Sequence, residues 1–267
     1  MNKSMKIINT VAFLAMIIVN LLANIVPFGG KTTGEVSAAY PNLFTPAPIT
    51  FAIWGVIYVL LAGFILYQWG IFDKGILSSG LVRHIGIWFT VTCVLNIAWI
   101  LLWHSDAIGF STLCIAGLLI SLVILQKKTS IYSDGIRGYA LFRAGFDIYF
   151  GWIIVASIAN VSVFLTKYNW NGFGLSDSFW MSVILIAGAI IGIATVVVSR
   201  KYLSGAAVIW AYTGILIRHF SSDGFNGRYP FVIAMTLLGI IAIICSIAIT
   251  ADRSKVHILG FTGENPG

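Results

Sequence analysis

Charge is what this sequence has least of. Of its 267 residues only 9% are Asp, Glu, Lys or Arg, against 59% hydrophobic, whereas a water-soluble domain carries about 25% charged residues to face its solvent. A soluble globule is excluded, and the medium around most of the chain must be hydrocarbon. Cysteine is almost as scarce. Cys93, Cys114 and Cys245 fall inside apolar stretches, at spacings that fit neither a disulfide framework nor a zinc site, and read as small buried or lipid-facing residues. No lysine stands in the middle of an apolar stretch, which excludes a rhodopsin-type Schiff base. His84, His104, His219 and His257 lie at the ends of such stretches or in the tail. No H-E-x-x-H, G-x-S-x-G, phosphate-loop or dinucleotide fingerprint occurs, so neither a catalytic constellation nor a metal set appears. The net charge of +7 comes from Lys and Arg between the apolar stretches. It reads as membrane topology and attraction to anionic headgroups, with no nucleic-acid partner.

What is present is a series of apolar runs of membrane-crossing length, about 20 residues each. They cover 6–28, 49–70, 85–103, 107–126, 140–166, 178–198, 203–219 and 229–250. The expected fold is all-α, a polytopic membrane helix bundle of about eight transmembrane helices. The first run follows a weak basic start (Lys3, Lys6). It is too long for a signal peptide and lacks an A-x-A site, so it is read as a retained helix. Basic residues crowd alternate connections: the N-terminus, 71–84 (Lys74, Arg83), 127–139 (Lys127, Lys128, Arg137), 199–202 (Arg200, Lys201) and the tail (Arg253, Lys255). The other connections hold Lys31, Lys167, Arg218 and Arg228. The positive-inside rule then places both termini in the cytoplasm. The chain beyond Arg253 reads as a short disordered end.

Polar groups inside a membrane each need a reason. The connection 29–48 and the following turn contain Tyr40-Pro41-Asn42-Leu43-Phe44-Thr45-Pro46-Ala47-Pro48. Three prolines restrict its backbone, which suits either a rigid linker or a lid over a ligand; periodicity alone favours the linker. In the second run Trp54 and Tyr58 are four apart and share a helix face, and Tyr58 lies deep enough to need a partner for its hydroxyl. In the third, Asn96, Trp99 and Trp103 recur at three and four. A mid-span amide such as Asn96 must bond another helix or a ligand, and helix glue is the commoner role. In the fifth, Tyr149, Trp152, Ala156 and Asn160 form one stripe, while Asp147, four residues after Arg143, sits about 200° from Tyr149 at 100° per residue. A charged pair facing lipid costs a few kcal/mol or more. Both faces must therefore meet protein or a cavity, which makes this helix central. For Asp147, pairing with Arg143 or with the Arg200-Lys201 end weighs more than a proton relay.

Taken in order, Phe44-Thr45-Pro46, Trp54 with Tyr58, Leu95-Asn96 with Trp99, and Tyr149, Trp152 and Asn160 resemble the translocator protein family, the TspO/MBR or tryptophan-rich sensory proteins. That family reads F-T-P-P before its second helix, then W-x-x-x-Y, L-N-x-x-W in its third, and P-Y-x-x-W with a later Asn in its fifth. The proline before the tyrosine is Ile148 here, the stretch before Trp54 is one residue shorter, and Asp147 is not part of the pattern. The resemblance implies a TspO-like five-helix module over 1–166, three additional transmembrane helices over 167–253 and a cytoplasmic tail over 254–267. It implies a pocket between helices, closed by the loop after the first, that takes porphyrin or haem, sterols or synthetic ring ligands. Trp54, Asn96 and Trp152 would line it, with Ala156 one turn below Trp152 and Tyr58, Trp99, Tyr149 and Asn160 beside them; Phe44, Thr45 and Pro46 would belong to the lid. A sterol signature is absent near Tyr168.

The leading expectation is a membrane receptor for a hydrophobic ring ligand, porphyrin or haem first, with no cofactor certain. Flat apolar rings suit tetrapyrrole faces and an amide can fix orientation. A permease using the Arg143/Asp147 face is the alternative. Photochemical degradation of porphyrin through Trp54 and Trp152, an activity proposed within the family, receives least weight, so the reading leans against an enzyme. The partners expected are the lipid bilayer and the ligand, with a homodimer left open, since the extra helices would cover a surface on which smaller relatives pair. Short loops and basic cytoplasmic ends suit a bacterial plasma membrane.

Overall fold

The structure, a computed structural model, describes residues 3–71, 76–130 and 139–261. Lys74 and Arg137, two of the residues that orient the chain, lie outside these, as does 262–267 of the tail. The described residues form helices α1 (Lys3–Ile25), α2 (Thr33–Ala38), α3 (Ile53–Gln68), α4 (Ile76–His104), α5 (Ile108–Thr129), α6 (Tyr139–Lys167), α7 (Asp177–Ser199), α8 (Tyr202–Phe220) and α9 (Pro230–Phe261), with no strand among them. Among the described residues seven helical stretches are long and apolar enough to cross a membrane, where the sequence reading expects about eight. The difference is α8. Its buried face holds Ser204, Gly205, Tyr212, Gly214 and His219, so much of its surface is built for protein contact rather than for lipid. The tail also differs from the expectation of disorder after Arg253, because α9 runs on to Phe261. No proline interrupts 253–261, and Lys, Ile and Leu there are adequate helix formers.

The helices pack as hydrocarbon solvent demands, with polarity turned inward. On α1 the buried positions are Asn9, Phe13, Met16, Asn20 and Ala23, spaced four, three, four and three, while Val11, Leu14, Ile18 and Leu21 stay exposed. The outward face is the more apolar one. Buried amides tie α1 to its neighbours: Asn9 donates to Gln68 on α3 at 3.1 Å and accepts from Thr90 on α4 at 2.8 Å. Deeper along α1, Asn20 donates to Asn96 at 2.7 Å.

Helix α6 touches α3, α5, α7 and α8, and a glycine makes the last contact possible. A Cβ on Gly151 would stand 2.3 Å from the carbonyl oxygen of Ser204 on α8, so only glycine lets the two backbones meet. The same crossing holds the charged face of α6. Asp147 is 5% exposed and lies between Lys201 Nζ at 3.3 Å and Arg143 Nε at 3.9 Å, while Ser204 Oγ donates to its backbone carbonyl at 2.7 Å. Of the two pairings weighed from the sequence, Asp147 makes both, with Lys201 supplied from the α7–α8 connection.

The α1–α3 connection is an ordered strap across one end of the bundle. Thr32 and Glu35 close a capping box that starts α2. Trp103 Nε1 donates to the Thr33 carbonyl at 3.2 Å, and Phe44 N–H donates to Asn42 Oδ1 at 3.0 Å, closing a side-chain turn. Beyond it the strap runs onto α8. His219 Nε2 bonds the Leu43 carbonyl at 3.0 Å, Ala47 N–H bonds the Gly214 carbonyl at 2.9 Å, and Trp210 Nε1 bonds the Thr50 carbonyl at 2.8 Å.

Candidate functional site

The strap covers a cavity at the meeting of α3, α4, α6 and α8. Its aromatic wall is Trp54 from α3, Trp99 and Trp103 from α4, Trp152 from α6, and Phe51 from the turn before α3. Val155, Ala156, Ala159 and Asn160 continue the α6 wall, Ala211 and Ile215 close the α8 side, and Ser37, Phe44 and Pro46 form the roof. The three-and-four spacing on each helix explains the convergence: 152, 155, 156, 159 and 160 fall on one face of α6, and 99 and 103 on one face of α4.

Trp54 is the hub of this wall. Its ring lies 5.7 Å from that of Trp99, 5.8 Å from Tyr149, 6.1 Å from Trp152 and 5.6 Å from Tyr58, stacked on the last at 23°. Phe51 meets Trp152 edge-on at 6.0 Å. These rings nearly fill their own pocket, since the free space among them is about 30 Å³, the room of a single water. A ring-sized guest fits only if rings or roof shift.

Several expected site residues stand behind the wall rather than in it. Asn96 accepts from Asn20 and donates to the Tyr149 hydroxyl at 3.1 Å. Its amide joins α1, α4 and α6 and acts as helix glue. Tyr58 and Tyr149 back Trp54 without lining the cavity, and Thr45 is buried beside the roof. Asn160 does line it, yet its carbonyl oxygen accepts from Thr112 at 2.7 Å and its amide donates to Ser111 at 3.1 Å. Ala211 and Ile215 were passed over in the sequence because small and aliphatic residues on an apolar helix carry no signal of their own. Asn9 and Asn20 could have been found from the repeat they share with Phe13 and Met16.

Two donors in the wall have no protein partner. The indole N–H groups of Trp99 and Trp152 are fully buried and unbonded, although a buried indole N–H usually finds an acceptor and leaving one unmet costs about 1–3 kcal/mol. The rest of the wall is almost wholly apolar. It holds no His, Cys, Met or Tyr, so no lining side chain can serve as an axial ligand to haem iron. Among the described residues no group of His, Cys, Asp and Glu could hold a metal.

The strap is also fastened at its far side. Tyr40 donates to the Asp106 carboxylate, and Lys167 Nζ lies 2.8 Å from it. Hydrogen bonds from Lys167 and Tyr40 hold the Asp106 pKa below its ordinary value of 3.8. A lowered carboxyl pKa means that the tie is fully present above the ordinary value and is lost as pH falls through the lowered one. Amide exchange over Val36–Tyr40 is expected to quicken only below about pH 4, and to be fast at every pH in Asp106→Asn. Acid-insensitive exchange, or a variant that matches the parent, would show that this contact does not hold the strap.

The family model described as TSPO-like protein matches residues 6–249, a stretch that runs from α1 into α9. Neither a curated protein nor a solved structure matches the chain. With most of its length matched, including the helices beyond α6, the chain belongs to the TSPO-like protein family.

Proposed function

We propose that this protein is a receptor for a flat, apolar ring ligand of the porphyrin type, bound between α3, α4, α6 and α8 beneath the strap. In this reading α8 is the eighth span, both termini face the cytoplasm and the host is a bacterial plasma membrane. The observation that carries the proposal is the pair of unbonded indole donors in an aromatic wall. Rings offer their faces to a polycycle, and the N–H groups of Trp99 and Trp152 await edge carbonyl or carboxylate oxygens.

Titration of the protein in nanodiscs with protoporphyrin IX tests it. Saturable quenching of tryptophan fluorescence is expected. Trp152→Phe, which keeps the ring and loses the donor, should weaken binding about tenfold, the worth of one hydrogen bond. Trp152→Ala should weaken it further. Linear partitioning that both variants leave unchanged would refute the pocket. Proton-coupled transport through Asp147 is the competing reading, and uptake into proteoliposomes that Asp147→Asn abolishes would favour it.

A further inference from the structure

A second cavity lies outside the first. It holds about 380 Å³ of free space and is half open to the surface. Its walls are the strap from Pro41 to Phe44, the outer turns of α6 at Ser162, Leu165 and Thr166, and the start of α7 at Asp177, Trp180 and Met181. Three observations join the two spaces. Phe44 lines both, and it is only 2% exposed. Helix α6 walls both on successive turns, with Ala156, Ala159 and Asn160 inside and Ser162, Leu165 and Thr166 outside. The backbone around Phe44 is held at fixed points, by the Asn42 side-chain turn and by His219 on the Leu43 carbonyl, so a passage there must open by movement of the ring.

We infer that the outer cavity is the antechamber of the site and that Phe44 is the door between them, so that ligand arrives from the aqueous face past α6 and α7 rather than sideways from the lipid. The inference rests on the ring-ligand reading for what passes through, and on geometry alone for the passage. The antechamber already has the volume of a small-molecule pocket, whereas the inner site has room for little more than a water. Its outer wall suits the same guest. Trp180 is fixed by a 2.8 Å bond from Nε1 to the Gly172 carbonyl and lies 4.9 Å from Trp170, giving a rigid aromatic face. Asn169 and Asp177 stand exposed at the rim. A flat ring can be held there on Trp180 while Phe44 turns, which separates capture from closure.

A ligand-free probe tests the door. In full-length protein with Cys93, Cys114 and Cys245 replaced by serine, Ala159→Cys places a thiol on the inner wall. In nanodiscs a charged methanethiosulfonate reagent should label it slowly. Phe44→Ala should raise the rate roughly tenfold or more, and Thr166→Trp, which fills the antechamber, should reverse that gain. Phe44→Leu repeats the test with a milder cut if the alanine variant folds poorly. Labelling indifferent to both positions overturns the inference. Association of protoporphyrin IX is measured on the same variants: saturable binding with indifferent labelling removes the door and keeps the receptor. The expected labelling without saturable binding removes the porphyrin reading and keeps the door.

Discussion

Asp147→Ala should destabilise the bundle by about 3–5 kcal/mol, because it leaves the Lys201 ammonium buried without its counter-ion. Lys201 is 6% exposed, and burial already pulls its pKa below the ordinary lysine value, with Asp147 working against that shift. With the carboxylate gone the amine can only lose its proton or drag the α7–α8 connection outward. Arg143 does not inherit the problem to the same degree, since its side chain is 28% exposed. The sign of the double variant separates a pairing effect from simple loss of packing. Asp147→Leu combined with Lys201→Met should recover most of the loss, since apolar side chains of similar volume often replace a buried pair at no cost. Thermal unfolding in micelles gives the comparison. An alanine variant within about 1 kcal/mol of the parent would mean the pair behaves as an exposed one.

Gly151→Val should be comparably damaging for a different reason. Its added carbons would overlap backbone atoms of Ser204, the carbonyl oxygen at 2.3 Å and Cα at 2.7 Å from the first of them, and backbone cannot turn aside as a side chain tip can. Overpacking typically costs about 1–3 kcal/mol and occasionally more, and a clash with backbone puts this one at the upper end. The variant should also lose ring binding, because pushing α8 away from α6 carries Ala211 and Ile215 out of the cavity wall. Gly55 on α3 is the control. A Cβ there meets nothing within 4 Å, so Gly55→Ala should be harmless or stabilise by up to about 1 kcal/mol through helix propensity. Equal melting temperatures for Gly151→Val and the parent would show that the two helices do not touch as described.

Much of this arrangement is legible in the order of residues, and the limits of that legibility are physical. Hydropathy runs mark the apolar helices, because hydrocarbon admits few other structures. The stripe of Trp152, Ala156 and Asn160 was readable since helical period alone fixes which residues share a face. The opposite face was readable too, because lipid excludes charge and so Asp147 had to find a cation. Depth and partnership were not. Asn96 and Asn160 are equivalent amides to a reader of sequence, yet one is tied behind the wall to Asn20 and Tyr149 while the other stands in it. Which role an amide takes depends on helices that meet only in three dimensions. The contribution of α8 was hidden most completely. Gly214 and Ala211 count only because Thr50 and the cavity happen to face them, and neither residue type announces that.

The strap's attachments to α8 bear on what a shortened version of this chain would lose. Three bonds from Leu43, Ala47 and Thr50 end on α8, and two of its side chains complete the chamber. A version trimmed after Lys167 would keep every tryptophan of the chamber wall but would leave the roof unmoored and one flank open to lipid acyl chains.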